Sequence, residues 1–288
     1  MTADLKALSL DADALVRALP RLTTQTRAAE AAHLGSAGRR RAGTGEDFWQ
    51  YRRYAHEDDA ARVDWRRSAR GDALFVRETE LETARNLFFW ADPNPGFDWT
   101  GDPARPTKAD RARVIMMAIG NLLSREGERV GVVGSGRSSG FGKRAVDRLY
   151  RQLSQPCSEN LPPPRPTGAV IVASDFYDPP EAWQTRLANL ASTCREGVLF
   201  AVSDPVEHEF PFQGRVRLSR PGSDQQRILG RAETLRSTYA EKLANNRANM
   251  EALAKRLGWR FLTHHTGEAA LQGAGHLHQA IRELGARA

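Results

Sequence analysis

The stretch Asn86-Leu87-Phe88-Phe89-Trp90-Ala91-Asp92 decides the fold. Leu87 to Ala91 is an uninterrupted apolar run, which suits a strand buried on both faces of a parallel sheet. It delivers an aspartate to its own end. Ala169 to Ala173 repeats the pattern and leads to Asp175. Around these two runs the chain alternates as parallel strands with crossover helices do. Lys108 to Arg125 reads as a helix with Val114, Met117, Ala118 and Leu122 along one side, Arg129 to Gly134 as a strand and Lys143 to Leu153 as a helix. Glu181 to Cys194 is a helix opened by Pro179-Pro180, and Gly197 to Ser203 a strand. Thr234 to Leu257 is a long helix, Trp259 to Thr263 the last strand and Glu268 to Leu284 the closing helix. The alternation breaks at Glu209 to Leu229, where Val216, Leu218 and Ile228 lie in two short extended pieces around Pro221-Gly222, the pattern of an inserted hairpin.

Upstream of the first run the sequence changes character. Leu15, Val16, Leu19 and Leu22 recur at helical spacing within Leu8 to Leu22, with Ser9 or Asp11 placed to cap the helix and Pro20 expected to end or kink it. From Leu34 to Gly45 the chain is rich in Gly, Ser and Arg and is expected to be a mobile linker. Between Phe48 and Glu80 short extended segments are expected, Leu74-Phe75-Val76 being the clearest, with Trp65 as apolar anchor. Arginines alternate here with acids: Arg52, Arg53, Arg62, Arg66, Arg67, Arg70 and Arg77 against Glu57, Asp58, Asp59, Asp64, Asp72, Glu78 and Glu80. Such a network is easily built, yet exposed pairs contribute only about 0–1 kcal/mol each, so the charge pattern alone does not define an interface.

At 288 residues with 40% hydrophobic content the chain can bury a proper core. The formal charge of +7 admits a nucleic-acid partner, but nearly all the basic residues are Arg, spread along the chain beside acids, so a dedicated nucleic-acid surface is not expected. Cys157 and Cys194 lie in no metal or redox motif and are expected as free thiols. The N-terminus lacks a secretory pattern, and the longest apolar runs, such as Val114 to Ile119, fall short of the roughly 18 residues of a membrane span, so a cytoplasmic location is expected.

Few residues carry obvious chemistry. Asp92 and Asp175, at strand ends where open α/β sheets bind ligands, could hold a hard cation such as Mg²⁺, or could simply cap the following turns. The glycine-rich stretch Gly131 to Arg144 fails as a phosphate loop. Arg137 stands where the first glycine is needed, and Arg144 where a hydroxyl would bind magnesium, leaving a loop ahead of a helix. His264-His265 and the His276, His278 pair lack metal-ligand spacing. No nucleophile elbow or cysteine–histidine pairing occurs, so no enzyme is indicated.

Several stretches together resemble the widespread bacterial domain of unknown function 58 family, whose members carry a von Willebrand factor A-like domain and are usually encoded beside MoxR-type AAA+ ATPases. The resemblance rests on Gly43-Thr44-Gly45-Glu46-Asp47-Phe48, Tyr51-Arg52-Arg53-Tyr54, Glu57-Asp58-Asp59, Arg62-Val63-Asp64-Trp65, Ser68-Ala69-Arg70 and Val76-Arg77-Glu78. It continues through Ser174-Asp175-Phe176, Pro211 to Val216 and Leu257-Gly258-Trp259. It implies a three-layer, Rossmann-like α/β fold with a mainly parallel sheet, an extra small β element from the motif segment and an inserted hairpin. It also implies a metal-ion-dependent adhesion site, from which this sequence departs. The first motif is Asp92-Pro93-Asn94-Pro95-Gly96, where Asp92 remains, Asn94 could offer a carbonyl oxygen and Gly96 offers no side chain. No threonine occupies the loop from Gly134 to Gly142, while Asp175 matches the third-loop acid. The degenerate metal set is therefore Asp92, Asn94 and Asp175, and no cofactor is expected unless that remnant takes Mg²⁺.

The resulting expectation is an N-terminal helix and linker over residues 1–45, a motif segment over 46–85, and an A-like domain over 86–288 with a β insertion near 207–230. The function expected is a non-catalytic adaptor or co-chaperone working with a MoxR-type ATPase. Its family and interaction residues are Phe48, Arg52, Tyr54, Asp58, Asp59, Arg62, Asp64, Trp65, Arg70, Arg77 and Glu78. The alternatives are a metal-dependent ligand receptor and a basic nucleic-acid-binding protein.

Overall fold

The computed structural model describes residues 5–31, 42–55, 63–69, 73–80, 84–159, 161–164, 167–219 and 226–285; within these, the side chains of 20–31, 42–50, 52, 77–80 and 285 lie outside the description. In chain order the elements are α1 (Leu5–Ala31), β1 (Ala42–Arg53), α2 (Trp65–Ser68), β2 (Phe75–Glu80), β3 (Asn86–Ala91), α3 (Lys108–Arg125), β4 (Arg129–Val132), α4 (Lys143–Leu153) and β5 (Ala169–Ser174). There follow α5 (Pro180–Thr193), β6 (Gly197–Ser203), α6 (Pro205–Glu209), β7 (Val216–Ser219), β8 (Gln226–Leu229), a 3-10 turn (Ala232–Leu235), α7 (Arg236–Arg256), β9 (Arg260–His265) and α8 (Ala270–Gly285). They form two compact units: one contains α1 and everything from β3 onward, the other β1, α2 and β2.

The larger unit is built on five parallel strands in the order β4-β3-β5-β6-β9. Side chains alternate across it, as the period of two requires. Leu87, Phe89, Ala91, Ile171, Ala173, Val198, Phe200 and Val202 enter one core with α1, α3, α4 and α8. Phe88, Trp90, Val170, Val172, Leu199 and Ala201 enter the other with residues of α5 and α7. The result is the expected three-layer, Rossmann-like α/β fold. The hairpin β7–β8 is antiparallel, with Val216 opposite Leu229, and forms the expected small β insertion. Among the described residues no helix is long and apolar enough to cross a membrane.

Helix ends follow local chemistry. Thr107 caps α3 by accepting the Asp110 N–H, proline opens α5, and Asp204 with Glu207 makes a capping box on α6. The helices Lys108–Arg125 and Lys143–Leu153 fall where the apolar spacing places them. Several expectations change, among them the cap of α1: the helix begins at Leu5 and so contains Ser9 and Asp11 within it. α1 runs on through Pro20 to Ala31, and Leu8, Ala12, Leu15, Val16 and Leu19 are buried in the first core. A polar tie helps seat it: the Tyr150 hydroxyl donates to Asp13 Oδ1 at 3.0 Å and accepts from Asn121 Nδ2 at 3.1 Å, joining α1, α3 and α4. Ala42 to Gly45 belong to β1 rather than to a linker, while 34–41 lie outside the described residues. The short helices α2 and α6 carry too few residues to show periodicity and were not expected.

In the smaller unit β1 and β2 pair antiparallel, with Tyr51 opposite Arg77 and Arg53 opposite Phe75, and with irregularities flanking Phe48. Asp64 organises the turn between them. Its Oδ1 accepts the Arg67 N–H at 3.0 Å, its Oδ2 the Tyr51 hydroxyl at 3.0 Å and its carbonyl the Ser68 hydroxyl at 2.8 Å. Ser68 Oγ in turn accepts the Phe75 N–H at 2.9 Å. Val63 and Val76 are the buried apolar pair here, bridging the same turn to β2. Trp65 is therefore not the anchor: it is 63% exposed. At the first position of a helix capped by Asp64, the inward place next to β2 goes to Ser68, and the indole is left outside.

Packing at the start of β6 yields a specific expectation. A Cβ on Gly197 would lie 2.5 Å from Cδ2 of the buried Trp259 indole, whose Nε1 is held by the Cys194 carbonyl at 3.2 Å. Gly197→Ala should therefore lower unfolding stability by about 1–3 kcal/mol in urea titration, although alanine loses less backbone entropy than glycine on folding.

Candidate functional site

Strands β4 and β3 lie on one side of the point where the strand order reverses, and β5, β6 and β9 on the other. In such sheets the ligand crevice opens outside the carboxyl ends of the strands at that point. Asp92 follows β3 and Asp175 follows β5, so both stand at the carboxyl ends of neighbouring strands; Asp175 and Asn94, which follows Asp92 by two positions, line the crevice, and Asp92 is buried beneath it and is not among its lining residues.

Asp92 is 3% exposed. Ser174 Oγ donates to its Oδ2 at 2.7 Å, the Asn94 N–H to its Oδ1 at 3.0 Å, and Arg186 Nη2 lies 3.6 Å from Oδ1. Burial raises the pKa of this carboxyl; Ser174, the Asn94 N–H and Arg186 oppose that rise. Arg186 is itself seated on aromatic faces, 4.2 Å from the Trp183 ring centroid and 5.4 Å from that of Trp90. Asn94 Oδ1 accepts the Gly96 N–H at 2.9 Å.

Asp175 is held by a residue that the sequence reading passed over. Lys108, at the first position of α3, has 1% of its side chain exposed; its Nζ donates to Asp175 Oδ2 at 2.9 Å and to Glu207 Oε1 at 2.6 Å. The ammonium also lies 4.9 Å from the Tyr177 ring centroid and 5.7 Å from that of Trp99. Glu207 Oε2 accepts the Tyr177 hydroxyl and the Asp204 N–H, both at 2.8 Å. Burial, then Glu207, pushes the Tyr177 phenol well above its ordinary range. The same two causes raise the phenol of Tyr239, on α7, to about 12.

Above this floor opens a cleft of about 690 Å³, within the ~300–1,000 Å³ range of ligand sites. Its walls include the aromatic side chains of Trp99, Tyr177, Phe210, Phe212 and Tyr239, and one side is bordered by β7. The residues present do not fit a divalent ion. A hard cation takes about six oxygens, whereas Asp92 already faces Arg186, Asp175 already holds Lys108, and the Asn94 side-chain oxygen is used by Gly96.

The eleven residues expected to form the interaction surface belong to the smaller unit. Tyr54, Asp64 and Trp65 are described there. Phe48 and Arg52 lie on β1 and Arg77 and Glu78 on β2, their side chains outside the description; Asp58, Asp59, Arg62 and Arg70 lie outside the described residues. Lys108 had one signal in the sequence, a lysine in a chain that mostly uses arginine; its partner Glu207, 99 positions away, had none.

A second polar cluster lies at the end of β6. Ser203 Oγ is 2.7 Å from His208 Nε2, which would suit a nucleophile and its base. Arg247 Nη2 lies 2.7 Å from the same nitrogen and must donate to it, so the lone pair that a base requires is already engaged. Burial, then Arg247 and His265, lowers the His208 pKa to about 4. His264 is also lowered to about 4, by burial and then Arg111; Arg111 Nη1 is 3.3 Å from its Nε2, and Glu268 Oε2 lies 2.9 Å from its Nδ1. Beside them Asp204 is held below the ordinary carboxylate range: burial works against this, and the Val206 and Gly101 N–H groups, Arg105 and Thr266 outweigh it.

Both histidines are thus folded in the neutral form. Their contribution to stability is complete above the ordinary histidine pKa of about 6.5 and is lost as pH falls towards about 4. NMR titration should show the two imidazoles changing near pH 4, and a midpoint near 6.5 for either would contradict the geometry. His208→Gln should flatten part of the fall in urea midpoint between those pH values.

No curated protein matches the chain. Among solved structures, the conserved hypothetical protein BatB from Bacteroides thetaiotaomicron is similar at 12% identity and a TM-score of 0.34, over 70% of this chain and 98% of that one. A mutant of the PilB minor pilin from Streptococcus sanguinis is similar at 14% identity and a TM-score of 0.31, over 75% of this chain and 65% of that one. The profile of the family described as Protein of unknown function DUF58 matches residues 50–249, more than half of the chain, and the protein belongs to that family.

Proposed function

We propose that the protein is a non-catalytic interaction module with a von Willebrand factor A-like domain, serving as adaptor or co-chaperone to a MoxR-type AAA+ ATPase in the assembly or maturation of other protein complexes. The observation that carries this reading is Trp65. A tryptophan 63% exposed on a turn whose backbone is fixed by Asp64 and Ser68 presents a large apolar surface to solvent. Exposed Arg66 and Arg67 flank it, the latter 5.4 Å from the Tyr51 ring centroid and 5.6 Å from that of Phe75. Tryptophan and arginine are the residue types over-represented among energetic hot spots of protein interfaces. Ser203 and His208 support the non-catalytic part of the reading, because Arg247 occupies the nitrogen that would have to take a proton.

The test is the affinity of the purified full chain for the MoxR-type ATPase of the same organism, measured by calorimetry. Trp65→Ala should weaken binding at least about tenfold while leaving the unfolding midpoint unchanged, since the indole is not part of the core. Wild-type protein that does not bind the ATPase would refute the partner, and binding that survives the substitution would remove the turn from the interface.

A further inference from the structure

The crevice that the resemblance assigns to a divalent ion contains instead a side-chain cation with an unusual degree of burial. A lysine ammonium out of water is strongly unfavourable unless it is paired and hydrogen-bonded. Lys108 is paired twice, with Asp175 at 2.9 Å and Glu207 at 2.6 Å, and faces the rings of Tyr177 and Trp99. Its main chain is fixed as well: the Lys108 N–H donates to the Trp99 carbonyl at 3.0 Å, next to the Thr107 cap of α3.

We propose that Lys108 is a tethered cation, supplying from α3 the positive charge that a metal ion would otherwise bring to this crevice, so that the site works without metal. A charge attached to the fold has an effective concentration that a dissolved ion at millimolar level does not readily outcompete. The ammonium does more than neutralise Asp175. Through Glu207 it fastens α6 to the end of β5, and α6 ends at Phe210, in the left-handed region at φ 42°, from which the chain enters the aromatic wall of the cleft. The cation thereby sets the position of that wall. This inference is independent of whether the ATPase is the partner.

Thermal unfolding of the full chain tests it. The wild-type midpoint should be the same in Mg²⁺, Mn²⁺ or EDTA. Lys108→Met, which keeps an unbranched apolar chain as far as Cε and removes the charged terminal nitrogen, should lower the midpoint by several degrees. Lys108→Ala should lower it too and regain part of the loss, saturably, on addition of propylammonium or Mn²⁺. Three results would overturn the proposal: saturable stabilisation of the wild type by Mg²⁺ or Mn²⁺ that Asp175→Asn abolishes, a Lys108→Met variant as stable as wild type, or a Lys108→Ala variant indifferent to both added cations. Should the alanine variant not fold, the wild-type metal titration and its Asp175→Asn control decide the matter.

Discussion

Two strands buried on both faces end side by side, and each ends in a carboxylate; the structure depends on how those charges are compensated. From Leu87 to Ala91 and from Ala169 to Ala173 neither β3 nor β5 can offer a polar side chain, because both faces are packed against helices. The first charge that either can present is at its carboxyl end. There Asp92 meets Ser174 and Arg186, and Asp175 meets Lys108. Each acid recruits a cation from a different helix, α5 for Arg186 and α3 for Lys108, so charge compensation also ties the two helical layers to the same end of the sheet.

That arrangement has consequences for the cleft. The Lys108 pairs are buried, where breaking one partner leaves an uncompensated charge. Glu207 serves three donors at once, the ammonium, the Tyr177 hydroxyl and the Asp204 N–H, which places a short helix of five residues without an extensive apolar face of its own. The polar floor is thus satisfied internally, and the surface left for a ligand is more apolar than polar, with five aromatic side chains along it.

The smaller unit follows a different logic. Its described apolar interior is slight, with Val63 and Val76 at the centre, and side-chain to main-chain hydrogen bonds from Asp64 and Ser68 set the turn. A turn held by polar groups can leave its largest apolar residue in solvent, which is where Trp65 is found. The alternating charges of this stretch were legible in the sequence, but their periodicity could not say which aromatic faces inward.

The amino-acid sequence by itself determined the five strands of the larger unit and its longer helices, though neither the full length of α1 nor the short helix α6. Continuous apolar runs such as Leu87–Ala91 and Ala169–Ala173 admit only buried strands at that length, the spacing along Lys108–Arg125 admits a helix, and proline and capping residues set several boundaries. It also put Asp92 and Asp175 at strand ends. Only the tertiary structure decided what those acids face. Lys108 and Glu207 are 99 positions apart, as are Arg105 and Asp204, and Arg186 lies far along the chain from Asp92. Local patterns report on neighbours within a turn or two, whereas the partner of a buried charge is chosen by the fold that removes it from water.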